Sequence, residues 1–280
     1  MKIKLFALLP FLLISLNSFA QHAYFQIGGG YAFPTSSGIA GEMTTFGNNT
    51  PSTVSNINNE KGAGIPLTVR MGYMITNFVG ADIGFNYLLG NNSTLAQATA
   101  LDQTGMLTAQ VRQARLNPAI VFSTNRDMIL SAYSRLGLVL PLGGVTTSRT
   151  DLPPLFAGNN ANTNYTIETK DRFGVGFSGT LGAQYRVYER MFLFAEVEAI
   201  HLALQRRSDR VTSYVINGQN RLDQLGRYEL ETRYVNELTQ NSNSPRTNPS
   251  IDNNMPEDAL TSTTFYNSVG MNIGIKYRIY

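Results

Sequence analysis

Apolar and polar residues take turns along most of the chain, in eight segments separated by polar stretches. Residues 62–75 show it most cleanly. Ala63, Ile65, Leu67, Val69, Met71, Tyr73 and Ile75 alternate there with Gly62, Gly64, Pro66, Thr68, Arg70, Gly72 and Met74. The same alternation runs through 22–33, 78–90, 113–122, 128–142, 172–187, 192–204 and 263–279. Successive side chains of a strand point to opposite faces, so a period of two predicts eight strands, each with one apolar and one polar face. Each is long enough to cross a bilayer at a tilt, for which ~9–11 residues suffice.

Two features predict that the apolar face meets lipid rather than a protein core. The opposite face carries Gly, Ser, Thr, Asn and isolated charges, which fit a narrow barrel lumen, in place of a dense Lys/Glu coat. Aromatic residues gather near strand ends, at Tyr31, Phe33, Tyr73, Phe78, Tyr87, Tyr185 and Tyr277, as in the girdles of a membrane interface. In lipid, only a closed sheet satisfies every strand N–H and C=O. The predicted fold is all-β: an eight-stranded antiparallel transmembrane β-barrel, with a ten-stranded barrel as the alternative. That alternative comes from 205–262, where 211–216 and 228–235 alternate weakly and Asn217-Gly218 signals a hairpin turn. The simpler reading is a hairpin that extends the last two strands above the membrane.

The links alternate in length. Short ones fall at 75–78, 123–127 and 188–191, and long ones at 34–61, 91–112, 143–171 and 205–262. Short periplasmic turns and four long extracellular loops are the outer-membrane pattern. The second and third segments both point even-numbered residues inward, so the link around Thr76 should have three or five residues. Asn/Ser/Thr/Pro-rich stretches at 48–59, 158–166 and 240–250 predict mobile loop tips.

The N-terminus supplies an address. In residues 1–20, Lys2 and Lys4 precede an apolar run over 5–16, and Ser18 and Ala20 place small residues before a cleavage point. This predicts a secretory signal peptide and a mature barrel of 21–280. The run is short for the ~20 residues of a membrane-spanning helix. No other stretch approaches that length, which excludes a helical membrane protein. Composition removes further classes. The 280 residues include no cysteine, so disulfides, thiolate metal sites, a thiol nucleophile and a lipidated N-terminal cysteine are excluded. There are 22 Lys and Arg against 19 Asp and Glu, and loss of Lys2 and Lys4 leaves 20 against 19. Such a balance makes no electrostatic case for nucleic acid.

The signal peptide, the opening strand at 21–33, the eight alternating segments and the aromatic C-terminus together resemble the small outer-membrane β-barrel proteins common in Bacteroidetes. These belong with the broader eight-stranded OmpA/OmpX-type porin-like superfamily. The most specific piece is the end of the chain. Asn272, Gly274, Tyr277 and Ile279, with Tyr280 terminal, are similar to the signal read by the barrel-assembly machinery, although Phe is the more typical last residue. The resemblance implies an outer-membrane location and contact with outer-membrane lipid and lipopolysaccharide. It also implies assembly by that machinery with periplasmic chaperones, and an extracellular partner met through the loops. It does not deliver an activity.

Candidate chemistry is sparse. The inward face collects Arg70, Asp82, Arg115, Arg135, Arg186, Glu196, Glu198, Lys276 and Arg278. A narrow lumen predicts that these charges pair with one another rather than line a passage. Arg70 and Asp82 are placed to meet across a hairpin, and Glu196 and Glu198 should face Lys276 and Arg278 on the neighbouring last strand. His22 and His201 are the two histidines. His201 falls with the lipid-facing set near an outer strand end, but His201-Leu202-Ala203 lacks the serine of a lipid-deacylase arrangement. Gly28-Gly29-Gly30 lies within a strand, without the following helix of a phosphate loop. No catalytic residue, metal or cofactor is expected. The function expected is non-enzymatic display of long surface loops for adhesion or another interaction. Solute passage is the first alternative and a lipid-modifying enzyme the second.

Overall fold

The structure, a computed structural model, describes residues 23–35, 39–47, 50–58, 60–124, 128–157 and 161–279. The predicted signal peptide, His22, Tyr280 and part of the 123–127 link lie outside these. Among the described residues the strands are β1 (Ala23–Pro34), β2 (Ile39–Gly47), β3 (Thr50–Asn58), β4 (Gly64–Met74), β5 (Val79–Ala100), β6 (Gln103–Ser123), β7 (Leu130–Leu152) and β8 (Thr163–Asp171). They continue with β9 (Gly176–Arg186), β10 (Met191–His201), β11 (Ala203–Ile216), β12 (Gln219–Asn220), β13 (Glu231–Val235), β14 (Glu257–Leu260), β15 (Thr263–Phe265) and β16 (Ser268–Arg278).

Eight of these pair into a ring. The antiparallel ladders run β1–β4–β5–β6–β7–β9–β10–β16 and return to β1. The stagger can be read by stepping from partner to partner. Tyr24 faces Gly72, Gly72 faces Asp82, Asp82 faces Ala119 and Ala119 faces Gly137. Gly137 faces Ser178, Ser178 faces Ile200, Ile200 faces Ser268, and Ser268 returns to β1 at Pro34. The circuit that leaves at Tyr24 returns at Pro34, a stagger of ten residues. Such a stagger across eight strands requires a tilt of roughly 40° and leaves an interior just wide enough for side chains.

Burial within the ring is inverted relative to a water-soluble protein. Inward residues of β4 and β5 such as Thr68, Arg70, Asp82 and Asn86 are buried. Outward ones such as Ile27, Leu67, Met71, Leu136, Leu181 and Ile273 are exposed, Ile273 to 69%. One rim carries the short links, the start of β1 and the end of β16. There Ile75 and Thr76 both donate backbone N–H to the Val79 carbonyl, and Met74 faces Gly80. The link between the Ile75 and Val79 positions is the three residues 76–78, as the inward parity of both strands requires.

At the opposite rim the predicted loops prove to be sheet. β5, β6 and β7 run on past the ring as strands of 22, 21 and 23 residues. Above the ring, β8 pairs with β7, β11 with β8, β13 with β11 and β14 with β13, while β2 and β3 join through β5. Residues 205–262 therefore extend this outer sheet and do not enter the ring. Asn217 and Gly218, with φ of 49° and 80°, form the tight turn between β11 and β12 that their sequence signals. The weak alternation at 228–235 is corrected: Arg227–Leu230 is one helical turn, capped by the Glu229 carboxylate accepting from the Gly226 N–H, and the strand starts at Glu231. The expected loop tips are also corrected. β3 occupies most of 48–59, and β8 starts at Thr163. Segment 240–250 folds around buried Asn243, whose Nδ2 donates to the carbonyls of Asp252, Met255 and Pro256.

Asn243 is held in turn by Asp258, which accepts from the Asn243 N–H at 2.9 Å and from Arg233 at 2.8 and 3.1 Å. The Arg233 hydrogen bonds hold the Asp258 carboxyl below its usual range, with the Asn243 N–H adding to them. A depressed folded value means stability that is complete above the unfolded carboxylate value and lost as pH falls through the folded one. Protection of the Asn243 amide in hydrogen exchange should thus hold from neutral pH to about 4 and decline below it. In Asp258→Asn it should be lower and nearly flat with pH.

Candidate functional site

The ring register brings inward side chains of six strands together in mid-interior. Asp82 on β5 accepts from Arg70 Nη1 at 3.5 Å, from Arg135 Nε at 2.9 Å and from the Tyr24 hydroxyl at 2.8 Å. Arg70 also donates to Glu198 Oε1 at 3.0 Å. Arg135 on β7 reaches across to Glu196 on β10 and to Gln26 Oε1 on β1. Glu196 further accepts from the Tyr133 hydroxyl at 2.7 Å. Both guanidinium groups are 2% exposed. Desolvating so many charges is costly, and only dense mutual pairing offsets it, so the arrangement specifies one side-chain geometry more than it adds stability.

Two tyrosines sit in seats made by glycine. Tyr24 lies opposite Gly72 and Tyr133 opposite Gly182 on the adjacent strands. A methyl group on Gly72 would come within 2.3 Å of the Tyr24 ring, and one on Gly182 within 2.4 Å of the Tyr133 ring. Each ring occupies the space over its neighbour's bare backbone, and its hydroxyl donates to Asp82 or Glu196. Lys276 completes the layer through aromatic faces, with Nζ 3.8 Å from the Tyr24 ring centre and 5.8 Å from that of Tyr133.

The sequence-derived partners are partly revised. Arg70 and Asp82 do meet across their hairpin. Glu196 and Glu198 do not take Lys276 and Arg278: their register partners on β16 are Asn272 and Gly270, and their ion pairs go to Arg135 and Arg70. A staggered ring displaces same-level neighbours along the strand, so residues that share an interior level come from across the lumen. Arg278 and Arg186 lie at the short-link rim over the Phe192 ring, 4.1 and 6.0 Å from its centre. Arg115 is buried beyond the main network and donates to Gln113 Oε1 at 2.6 Å. Of the C-terminal residues, Asn272 is buried inward, Gly274 faces Gly28, and Tyr277 and Ile279 point outward. His201 points outward beside Phe265, with ring centres 6.5 Å apart. The inward charges named from the sequence leave out Tyr24, Gln26, Tyr133 and Phe192, which the structure adds to the interior. All four lie on inward parity, a signal that was available. What it could not show is which strand each one reaches.

Apolar side chains close the network on both sides. Tyr24, Met74 and Val121 pack toward the short-link rim. Leu88, Val111, Val139, Ile200, Leu202, Leu204 and Tyr266 form a larger layer toward the outer sheet. A polar interior under an apolar exterior, with the backbone ladder closed, suits a sheet that stands in hydrocarbon. A family model described as outer membrane protein beta-barrel domain matches residues 6–224. The chain belongs to that family. Among solved structures it is similar to Neisserial surface protein A, at 10% identity and a TM-score of 0.38 over 91% of this chain and 96% of that one. It is also similar to Ail, the attachment invasion locus protein of Yersinia pestis, at 9% identity and a TM-score of 0.34 over 92% and 99%. No curated protein matches the chain.

Gly182→Ala should drive Tyr133 off its seat and cost about 1–3 kcal/mol, the usual range for overpacking. Arg135→Met should cost about 3–5 kcal/mol, because Asp82 and Glu196 lose a buried partner. Urea titration of the folded protein in micelles, followed by gel mobility without heating, checks both.

Proposed function

We propose that the protein is an integral outer-membrane β-barrel of eight strands that carries a sheet-built platform above the membrane for adhesion or another surface interaction, without enzymatic activity. In this reading a signal peptide exports the chain. The barrel-assembly machinery, with periplasmic chaperones, reads its last strand, and outer-membrane lipid and lipopolysaccharide surround the ring. The observation that carries it is the inversion of burial, which ends abruptly at the top of the ring. Within the ring, outward positions are large and apolar. Above it, β8 and β11 present Thr, Ser, Lys, Arg, Asp and Glu, with intermediate exposure over most of their length. A sheet greasy outside below and polar on both faces above fits lipid below and water above.

The interior supports display over passage, since Arg70, Arg135, Asp82, Glu196 and Glu198 are buried and pair with one another, with an apolar layer above them. The platform supports it too. Surface function resides in segments held out by a rigid scaffold, and here the scaffold's own strands do the holding.

Ile273→Arg and Leu101→Arg separate the two environments. Both parent side chains are highly exposed, Ile273 to 69% on the ring and Leu101 to 75% at the tip of the β5–β6 hairpin. In lipid, the Ile273 change should cost about 2–4 kcal/mol, while the Leu101 change stays within about 0.5 kcal/mol. Equal, negligible costs measured in bilayers would remove the membrane reading. For display, a chain lacking 210–258 should still show heat-modifiable mobility in the outer-membrane fraction while its cells lose adhesion. Adhesion unchanged by that deletion would sink the display role.

A further inference from the structure

Among the described residues, the wall of the ring has a break beside β7. Toward the short-link rim, β7 pairs with β9 as far as Val139 and Gly176. Toward the outer sheet it pairs with β8 from Thr146 and Thr169 onward. Residues 140–145 of β7 and 170–175 opposite belong to neither ladder, and 172–175 form no strand. On its other side β7 stays paired to β6 through the same stretch, where Val145 faces Arg112. The gap is thus a lateral opening flanked by paired strands, not a frayed end. A cavity of about 460 Å³ occupies it, backed by Val111, Leu204 and Tyr266 of the apolar layer.

Two chemistries meet at this opening. Exposed Leu142 and Phe173 line it and continue the apolar outer band that rises through Leu136 and Leu138 on β7 and, opposite, through Phe177 on β9 and Val175 just before it. Arg112, Lys170 and Arg207 line it as well, all exposed. Among the described residues these three cations form no ion pair, and Arg112 makes one long hydrogen bond, from Nη2 to Gln110 Oε1 at 3.5 Å. The other two charged groups of the lining are committed. Asp171 accepts from the Tyr266 hydroxyl, and Arg172 donates to the Tyr234 carbonyl at 2.6 Å and to Asn236 at 3.1 Å. Unpaired cations therefore flank a greasy cleft at the level where the lipid-facing band stops.

We propose that this lateral opening binds a phosphorylated lipid of the surrounding membrane, with its acyl chains against Leu142 and Phe173 and its phosphate held by Arg112, Lys170 and Arg207. The proposal rests on the outer-membrane reading above. Cations at the depth of the headgroups attract lipid phosphate, and the cleft floor is continuous with the surface that already faces acyl chains. A free anion would satisfy the cations but leave that floor bare, so the two sources of phosphate predict different competition.

The test uses the full chain folded in detergent micelles, with folding verified by heat-modifiable mobility before any lipid is added. The probes are diphosphorylated lipid A, its dephosphorylated form and inorganic phosphate, with retained lipid read by native mass spectrometry. The parent and Arg149→Gln, a control at an exposed pair on the outer sheet, should retain lipid A. The variant R112Q/K170Q/R207Q should retain it at least about tenfold less, given the usual contribution of each interfacial cation. Dephosphorylated lipid A should be retained as weakly as lipid A is by that variant, and inorganic phosphate should not compete. Equal retention by the triple variant, equal retention of the dephosphorylated form, or displacement by inorganic phosphate would overturn the proposal. Should the triple variant not fold, a photocrosslinker at Phe173 in the otherwise unaltered chain decides. Capture of lipid A well above that from a crosslinker at Ile273 supports the site, and equal capture refutes it. A chain that stays monodisperse without detergent would overturn the outer-membrane reading itself, at a step separate from any lipid measurement.

Discussion

Closure of the hydrogen-bonded ring is the constraint on which the rest depends. In hydrocarbon an unpaired backbone N–H or C=O has no water to turn to, so a sheet that crosses a membrane must have no edge. Here β16 returns to β1 and removes the edge. Eight strands with a stagger of ten leave an interior that side chains must fill. The polar face of every strand is therefore the buried one, and its charges have to find partners inside.

The interior solves that problem with reach rather than adjacency. Arg135 contacts groups on β1, β5 and β10, and Arg70 ties β5 to β10. Small residues make this possible, since Tyr24 and Tyr133 occupy volume that a side chain at Gly72 or Gly182 would take. Asp82, Glu196, Arg70 and Arg135 are each held by groups from more than one strand, so the network ties the strands to one another across the ring. Apolar layers on both sides keep water from competing for these bonds.

The same closure explains the outer sheet and its one weakness. Once strands leave the lipid they are free of the no-edge rule. There β5, β6 and β7 fan into a sheet with β2, β3, β8, β11, β13 and β14, ending in edges that water can solvate. The handover is awkward where β7 exchanges β9 for β8 as its partner. Six residues on each side fall between two ladders, which is where the wall opens.

Local chemistry carried much of this protein. A period of two is a property of consecutive residues, so the eight ring strands, their inward parity and the odd length of the link at Thr76 were legible from the chain alone. The Asn217-Gly218 turn was legible for the same reason, because positive φ is a property of the residues that adopt it. The polar stretches misled, because Thr-rich and Asn-rich segments such as β3 and β8 become strands only when a neighbouring strand offers a ladder, and no local pattern reports that neighbour. Partner choice in the interior was likewise beyond reach: whether Glu196 meets Lys276 or Arg135 depends on the stagger accumulated around the whole ring. Composition and alternation determined which face of each strand turns inward. Only tertiary closure decided who waits there, because the contacts between strands are set by a register that no single strand contains.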